Sequence, residues 1–396
     1  MGWALALLVG RGWLYATRIS EYDEQVLSAT QLKAHASRLG FNLVGISPAR
    51  PAPHLDAYLR WIEAGLHGEM GYLARADRVA RRRDFNVILP GARSLILAGL
   101  DYRTLKLPDA ILSDPRRGRI AAYAWGRDYH AVMTPRLEEL AASLEGVARV
   151  YVDTGALLER DHAQQAGLGF IGKNTMLIHP RRGSDFFLGE ILTTAEFDGY
   201  DEPARETMCG ACTRCLAACP TGAFPQPYVL DARRCLSYLT IELKGYVPHG
   251  LRARMGNWVF GCDVCQAVCP WNRFAVQSRA TEFFPLSVDR AAPPLAELLA
   301  LTEAAFEARF GGSPIERIGC ERLVRNACIA AGNSGDGALI APLTGRLREA
   351  DSALVRAHAG WALARLGARE AVYAQLAREA DAEARADLTH SLIDQS

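Results

Sequence analysis

Lysine is scarce in this chain: Lys33, Lys106, Lys173 and Lys244 are the only four among 45 basic residues. Positive charge therefore rides on arginine, whose planar fork suits phosphate better than a point ammonium. Excess charge of either sign is also missing. With 45 Lys and Arg against 44 Asp and Glu, the net charge of +1 excludes a grossly polycationic nucleic-acid binder while leaving room for a local basic face. Long hydrophobic runs are absent, and nothing approaches the roughly 18 apolar residues of a membrane helix. The apolar stretch at 3–10 is too short to span and has no Lys or Arg before it, so it reads as neither anchor nor signal peptide. Residues 1–20 are taken as an extension of uncertain status. No GxGxxG follows a strand, which leaves a nicotinamide or flavin Rossmann site without support. Cysteine is missing from the first 208 residues, and eight of the ten fall between Cys209 and Cys269. A secreted disulfide scaffold would spread its cysteines through a short chain, so a reduced, cytoplasmic, metal-binding setting is expected.

What remains is an ordinary folded composition, 49% hydrophobic and 22% charged over 396 residues, long enough for two or three domains. Helical periodicity at 29–40, 54–66 and 134–145 alternates with buried-strand patterns at 41–47, 94–100 and 148–153. The stretches 176–180 and 186–194 read as a further strand pair. Residues 21–200 are thus an α/β or α+β domain, 201–275 a cysteine-rich ferredoxin-like domain and 276–317 a linking helical connection. From 318 to 396 the chain is helical, and LVRNACIAAGN (323–333) recurs 31 residues later as LVRAHAGWALARLG (354–367). Paired helices at that interval look like short HEAT-type repeats, with a plain helical cap as the alternative.

The strongest pattern is CGACTRCLAACP (209–220), C-x2-C-x2-C-x3-C-P. In bacterial ferredoxins this spacing gives three thiolates to one 4Fe–4S cube and the fourth to a second. The later CDVCQAVCP (262–270) is one cysteine short of a full motif, and Cys235 closes the count at eight. One cluster is assigned Cys209, Cys212, Cys215 and Cys269, and the other Cys219, Cys235, Cys262 and Cys265. Two zinc sites are the competing reading, but zinc does not call for the x2-x2-x3-Pro spacing. Cys320 and Cys328 read as small buried hydrophobes. Two cubes form a wire for single electrons, and its terminus is sought in the N-terminal domain.

RDYHAVM (127–133), VDTGALLERDHAQQAGLGFIGKNTMLI (152–178), FFLGEILT (186–193), CLSYLTIELKG (235–245) and GCDVCQAVCPWN (261–272) resemble the epoxyqueuosine reductase family. The resemblance covers about residues 25–333, and the tail is similar to that of longer members. Departures are the apolar N-terminal extension and Phe224, where an aliphatic residue is usual. The resemblance implies base-off cobalamin in the α/β domain, two 4Fe–4S clusters, and reduction of epoxyqueuosine to queuosine in the tRNA anticodon loop. It also implies an external one-electron donor such as a ferredoxin or flavodoxin, and a monomer off the membrane. Asp153 matches the proton donor, where carbon-rich surroundings would raise its pKa; without the resemblance it reads as a cap or turn residue. Arg160, two helical turns on if 156–166 is one helix, matches a substrate-contacting arginine, or is an exposed helix charge. Lys173 and Asn174 would meet corrin amides or substrate, or merely make a turn, and Tyr102, Tyr123 and His130 are further cofactor-pocket candidates. Arginine clusters at 75–85, 114–119 and 179–184, in predicted loops, and Arg322, Arg325, Arg346, Arg348, Arg356 and Arg365 in the tail, are candidate phosphate contacts. A reductive dehalogenase acting on a small substrate and an electron-transfer or RNA-binding scaffold are the other readings of the same residues.

Overall fold

The computed structural model describes residues 27–393 and, ahead of them, the backbone of two short strands, Leu7–Leu8 (β1) and Trp13–Ala16 (β2). The rest of the expected extension lies outside the described residues. β2 pairs with Val147–Tyr151 (β5), at the edge of a six-stranded sheet completed by Leu43–Pro48 (β3), Ser94–Asp101 (β4) and Phe186–Thr193 (β6). The order is β1-β2-β5-β6-β4-β3, and every ladder is antiparallel. Of the two alternatives left by the sequence, the domain is therefore α+β. All eight residues of β4 are buried, because the sheet is covered on both faces. Ile96, Ala98 and Leu100 join Phe187 and Ile191 beneath the helix Tyr129–Ala142. Leu95 and Leu97 point the other way, with Leu192, toward Ala163 and Ala166 around the helix Glu159–Gln165. The period-2 alternation of a strand thus serves two cores, which is why the sequence shows a continuous apolar run.

The expected pairing of 176–180 with 186–194 does not form. Leu177–Ile178 pairs instead with Phe170–Ile171, the two strands being joined by the turn through Gly172 to Thr175, whose φ is 64°. The arginine-rich segment at 75–85 is also no loop, since Ala76–Arg83 is helical. Its Arg82 is buried and lies 4.7 Å over the Tyr58 ring.

Residues 201–275 hold little regular structure beyond short helices, among them Arg214–Ala218 and Val264–Ala267, each wound inside a cysteine motif. One core runs from Leu107 and Ile120 through Leu239 and Phe260 to Leu295, Phe310 and the C-terminal helices. Residues 276–317 are built into that core through several short helices. The C-terminal region stacks Gly319–Ser334, Ile340–Glu349, Ala353–Arg365, Arg369–Leu376 and Ala382–Ile393. Two glycines set how closely these helices approach. A Cβ on Gly332 would stand 2.8 Å from Ala362 Cα, and one on Gly360 would stand 2.0 Å from a Leu388 methyl.

Four tail arginines proposed for phosphate are structural instead. Arg325 is fully buried and donates to the carbonyls of Leu239, Leu243 and Gly245 and to Asn326 Oδ1. Arg322 caps Ile241 and Ile318, Arg346 reaches Leu299 and Leu301, and Arg356 pairs with Glu379 at 2.6 Å. Only Arg348 and Arg365 of that set are exposed. Because Arg325 bolts the first C-terminal helix to the segment after Cys235, Arg325→Ala would orphan three carbonyls and leave a cavity. An expected loss of about 3–5 kcal/mol follows. Chemical denaturation of the variant checks it, and a loss under about 1 kcal/mol would contradict the bolt.

Candidate active site

At the end of β5 the chain turns sharply at Asp153, whose φ of 59° places a non-glycine residue in the left-handed region. Such strain persists only where surroundings hold it. Two contacts do so: Tyr129 Oη donates to Asp153 Oδ2 at 2.8 Å, and Arg78 Nη1 donates to Thr154 O at 2.9 Å. Asp153 is exposed, not enclosed by carbon as the sequence reading supposed. Burial and the neighbouring Asp153 charge hold the Tyr129 hydroxyl well above its ordinary range, so it remains a donor.

Tyr129 belongs to a ring array. It stacks on His130 at 4.1 Å and on Phe187 at 4.5 Å, with Tyr102 4.8 Å from Phe187 and Tyr123 6.4 Å from Tyr129. Three sequence candidates, Tyr102, Tyr123 and His130, thus converge beside Asp153, although Tyr102 is buried behind the others and accepts from Gln266. The His130 ring is held by Asp128, with Nδ1 2.7 Å from Oδ1, and its Nε2 makes no hydrogen bond among the described residues. From the far side come Tyr72, half-exposed, and Arg317, which donates to Glu242. The Arg317 charge acts on Tyr123, Tyr129 and Asp153. Tyr129 and Phe187 are buried, so the array offers a ligand only the half-buried Tyr123 and His130 beside the exposed Asp153, a neutral aromatic margin that fits a large flat group fringed with amides, as a corrin is.

Arg160 does not extend a helix from Asp153, because the helix begins only at Glu159. Its exposed guanidinium donates to Thr175 O at 2.7 Å, tying the Asp153 side to the 172–176 turn. Lys173 and Asn174 lie against the cysteine loops rather than the ring array. Lys173 Nζ donates to Gly210 O and Cys212 O at 2.7 and 3.0 Å, and Asn174 Nδ2 to Cys265 O at 3.4 Å.

Behind Asp153 stand two carboxyls that sequence reasoning missed. Glu190 on β6 is fully buried, and neither oxygen has a hydrogen-bond partner in the structure. Burial, then the nearby Glu159, pushes its pKa well up. Glu159, at the first turn of its helix, is pushed up to about 8 by burial and the Asp153 charge. Between about pH 5 and pH 8 the folded state keeps a proton on Glu159 that an unfolded Glu, near 4.5, has lost. This group therefore makes stability fall as pH rises through that window. Thermal melts at the two ends should show a smaller decrease for Glu159→Gln than for wild type, and equal decreases would contradict it.

The eight cysteines of the central region are all partly buried, and their mutual electrostatic reach sorts them into two sets. Cys215 and Cys269 both feel Cys209, and Cys269 also feels Cys212. These four line one cleft together with Lys173, Asn174, Arg214 and Trp271. Cys262 and Cys265 feel Cys235, which feels Cys219, and Cys265 also feels Cys215 across the gap. Burial lifts every one of these thiols for which a shift is resolved, Cys265 to about 12, so the set calls for a cationic group to hold it as thiolate. Among the described residues no three His, Cys, Asp or Glu side chains gather closely enough for a single ion. The corners of a cube hold thiolates further apart. The inner set adjoins the ring array: Asp263 accepts from Ala122 N at 2.8 Å, and Tyr123 meets Phe260 at 6.1 Å.

Comparison with known proteins decides the family. An epoxyqueuosine reductase of Pseudomonas aeruginosa is 43% identical over 346 residues, 86% of this chain and 94% of its own. That of Escherichia coli (strain K12) is 38% identical over 346 residues, 85% and 89% of the two chains. The chain belongs to the epoxyqueuosine reductase family. A family model described as epoxyqueuosine reductase QueG matches residues 82–154, and one for a 4Fe-4S double cluster binding domain matches 208–272. A crystal structure of epoxyqueuosine reductase with an epoxyqueuosine-modified tRNA-Tyr stem loop superposes at a TM-score of 0.84, with 30% identity over 92% of this chain and 98% of that one. The epoxyqueuosine reductase of Streptococcus thermophilus gives 0.79, with 29% identity over 92% and 98%. Asp153 stands hydrogen-bonded to Tyr129 just past the end of β5, and the segment around Cys262 meets the ring array through Asp263 and Phe260.

Of the residues missed by sequence reasoning, Tyr129 had a signal, since it lies inside RDYHAVM. So did Glu190, a lone carboxyl in an apolar strand. Glu242 had one too, inside CLSYLTIELKG; Arg317 had none, because it lies in none of those runs and reaches the site from a segment remote in the chain.

Proposed function

We propose that this member of the family removes the epoxide oxygen of epoxyqueuosine in a tRNA anticodon loop, with Asp153 as the proton donor. The observation that carries the reading is the Tyr129–Asp153 hydrogen bond at the edge of the ring array, one step from the inner cysteines. Overall, both carbon–oxygen bonds of the epoxide break and a carbon–carbon double bond forms. The oxygen leaves as water after two electrons and two protons.

Tyr123 and His130, backed by Tyr129, would hold a base-off cobalamin, which would supply a strongly reducing centre for the epoxide. Cys209, Cys212, Cys215 and Cys269 would hold one 4Fe–4S cluster and Cys219, Cys235, Cys262 and Cys265 another, which would supply single electrons originating from an external ferredoxin or flavodoxin. The protein's own part is positional and acid–base. Asp153 delivers a proton to the leaving oxygen, Tyr129 holds that carboxyl in its strained turn, and Asp128 orients His130. Arg160 on the rim would meet the RNA, while Lys173 and Asn174 brace the cysteine loops.

Residues 21–200 would form the catalytic domain, 201–275 the cluster domain, 276–317 a connection, and 318–396 a HEAT-like stack offering Arg348 and Arg365 to phosphate. The protein is read as a cytoplasmic monomer, and among the described residues no helix is long and apolar enough to cross a membrane. Anaerobic reconstitution tests the cofactor set: about eight irons and one corrinoid per chain are expected. Full iron uptake without corrinoid would instead favour an electron-transfer protein.

A further inference from the structure

We propose that the face around the outer cysteine set, centred on Arg214, Arg273 and Phe274, is the docking surface for a small acidic one-electron carrier protein. The inference rests on the cluster reading above and adds where the electron carrier docks and which charge on it that face selects.

Three observations carry it. First, the two cysteine sets differ in depth: the inner set adjoins Phe260 and Tyr123, while the outer set lines a cleft at the surface. Cys265, within electrostatic reach of Cys215, lies between the two. An electron from outside therefore has its shortest way in through the outer cleft. Second, that cleft is charged with one sign. Lys173 and Arg214 line it and no carboxylate does; the exposed Glu202 and Glu206 sit on the segment leading in. Third, the rim has the composition of a protein contact rather than of a bare phosphate site. Trp271, in the cleft, meets Phe274 at 6.2 Å, and Phe274 is 40% exposed beneath the Arg273 guanidinium at 4.5 Å. Tyr228, 42% exposed, stands on the neighbouring turn, where its N–H donates to Lys173 O at 3.0 Å. Exposed aromatics with arginine are the usual anchors of protein interfaces, and the positive rim selects an acidic partner.

Docking transfers one electron and makes or breaks no bond. The reduced carrier is oxidised, the outer cluster is reduced by one electron, and two such visits supply one epoxide. The carrier is thus a one-electron reductant of the ferredoxin or flavodoxin class.

The test measures bleaching of the clusters by stopped flow in the reconstituted full-length protein, with reduced flavodoxin as probe and dithionite as the small-molecule control. Arg273→Glu, outside the cleft lining, should slow flavodoxin-driven reduction at low ionic strength by about threefold or more while leaving the dithionite rate and iron content unchanged. The wild-type flavodoxin rate should fall as salt rises. Equal flavodoxin rates for variant and wild type, or a salt-independent wild-type rate, would overturn the proposal. So would a variant whose only defect is a raised KM for RNA with dithionite, which would give the face to nucleic acid. The cluster measurement needs no RNA turnover, so a failure of the epoxide reading would show separately, as absent turnover with intact cluster reduction.

Discussion

Replacing Asp153 by Asn is expected to lower turnover of epoxyqueuosine-bearing tRNA by about 10²–10⁴-fold, the ordinary contribution of a positioned general acid. Asn keeps the size of the side chain and an oxygen to accept from Tyr129, so the turn and the ring array should survive. What disappears is the transferable proton. Iron and corrinoid content should match wild type, which separates lost chemistry from lost assembly. The rate in single-turnover experiments is the decisive readout, since it removes RNA release from the comparison. An undiminished single-turnover rate would take Asp153 out of the mechanism and move the donor role to another group, Tyr129 first.

The second large effect concerns Cys235, which lies outside both compact motifs. Cys235→Ser is expected to cost one cluster, about half the iron, and to bring turnover to background, because a wire with a missing relay carries no current. The matching control is Cys320→Ser, a buried thiol in the helix Gly319–Ser334 that lines no cluster cleft. It should keep full iron and lose only modest stability. Full iron in Cys235→Ser would break the proposed ligand set and return the count of eight to question.

What the sequence made legible is what is local. The spacing from Cys209 to Pro220 states its chemistry because all four thiols of the motif sit within one short loop and helix. Cys235 came from arithmetic alone; in the structure its thiol lies within electrostatic reach of Cys219 and Cys262. The buried strands were readable, but their pairing was not. Leu177–Ile178 chose Phe170–Ile171 over β6 because a tight turn through Gly172 brings them together, a choice that an apolar pattern does not encode. The tail misled for a related reason. Arg322, Arg325, Arg346 and Arg356 look like a solvated basic face when only composition is visible, yet each turns toward backbone carbonyls or a buried carboxylate. Which face of a helix an arginine occupies depends on what packs against it. The site itself divides the same way: Asp153, Tyr129 and Glu242 lie in recognisable runs, whereas Arg317 reaches it only through the tertiary fold.

The most direct test of the central claim is an anaerobic assay of protein reconstituted with iron, sulfide and cobalamin, given reductant and epoxyqueuosine-bearing tRNA, with the digested nucleosides weighed by mass spectrometry. The account predicts loss of the mass of one oxygen, dependent on cobalamin and on both clusters. An unchanged nucleoside mass with full iron and corrinoid in place would contradict it.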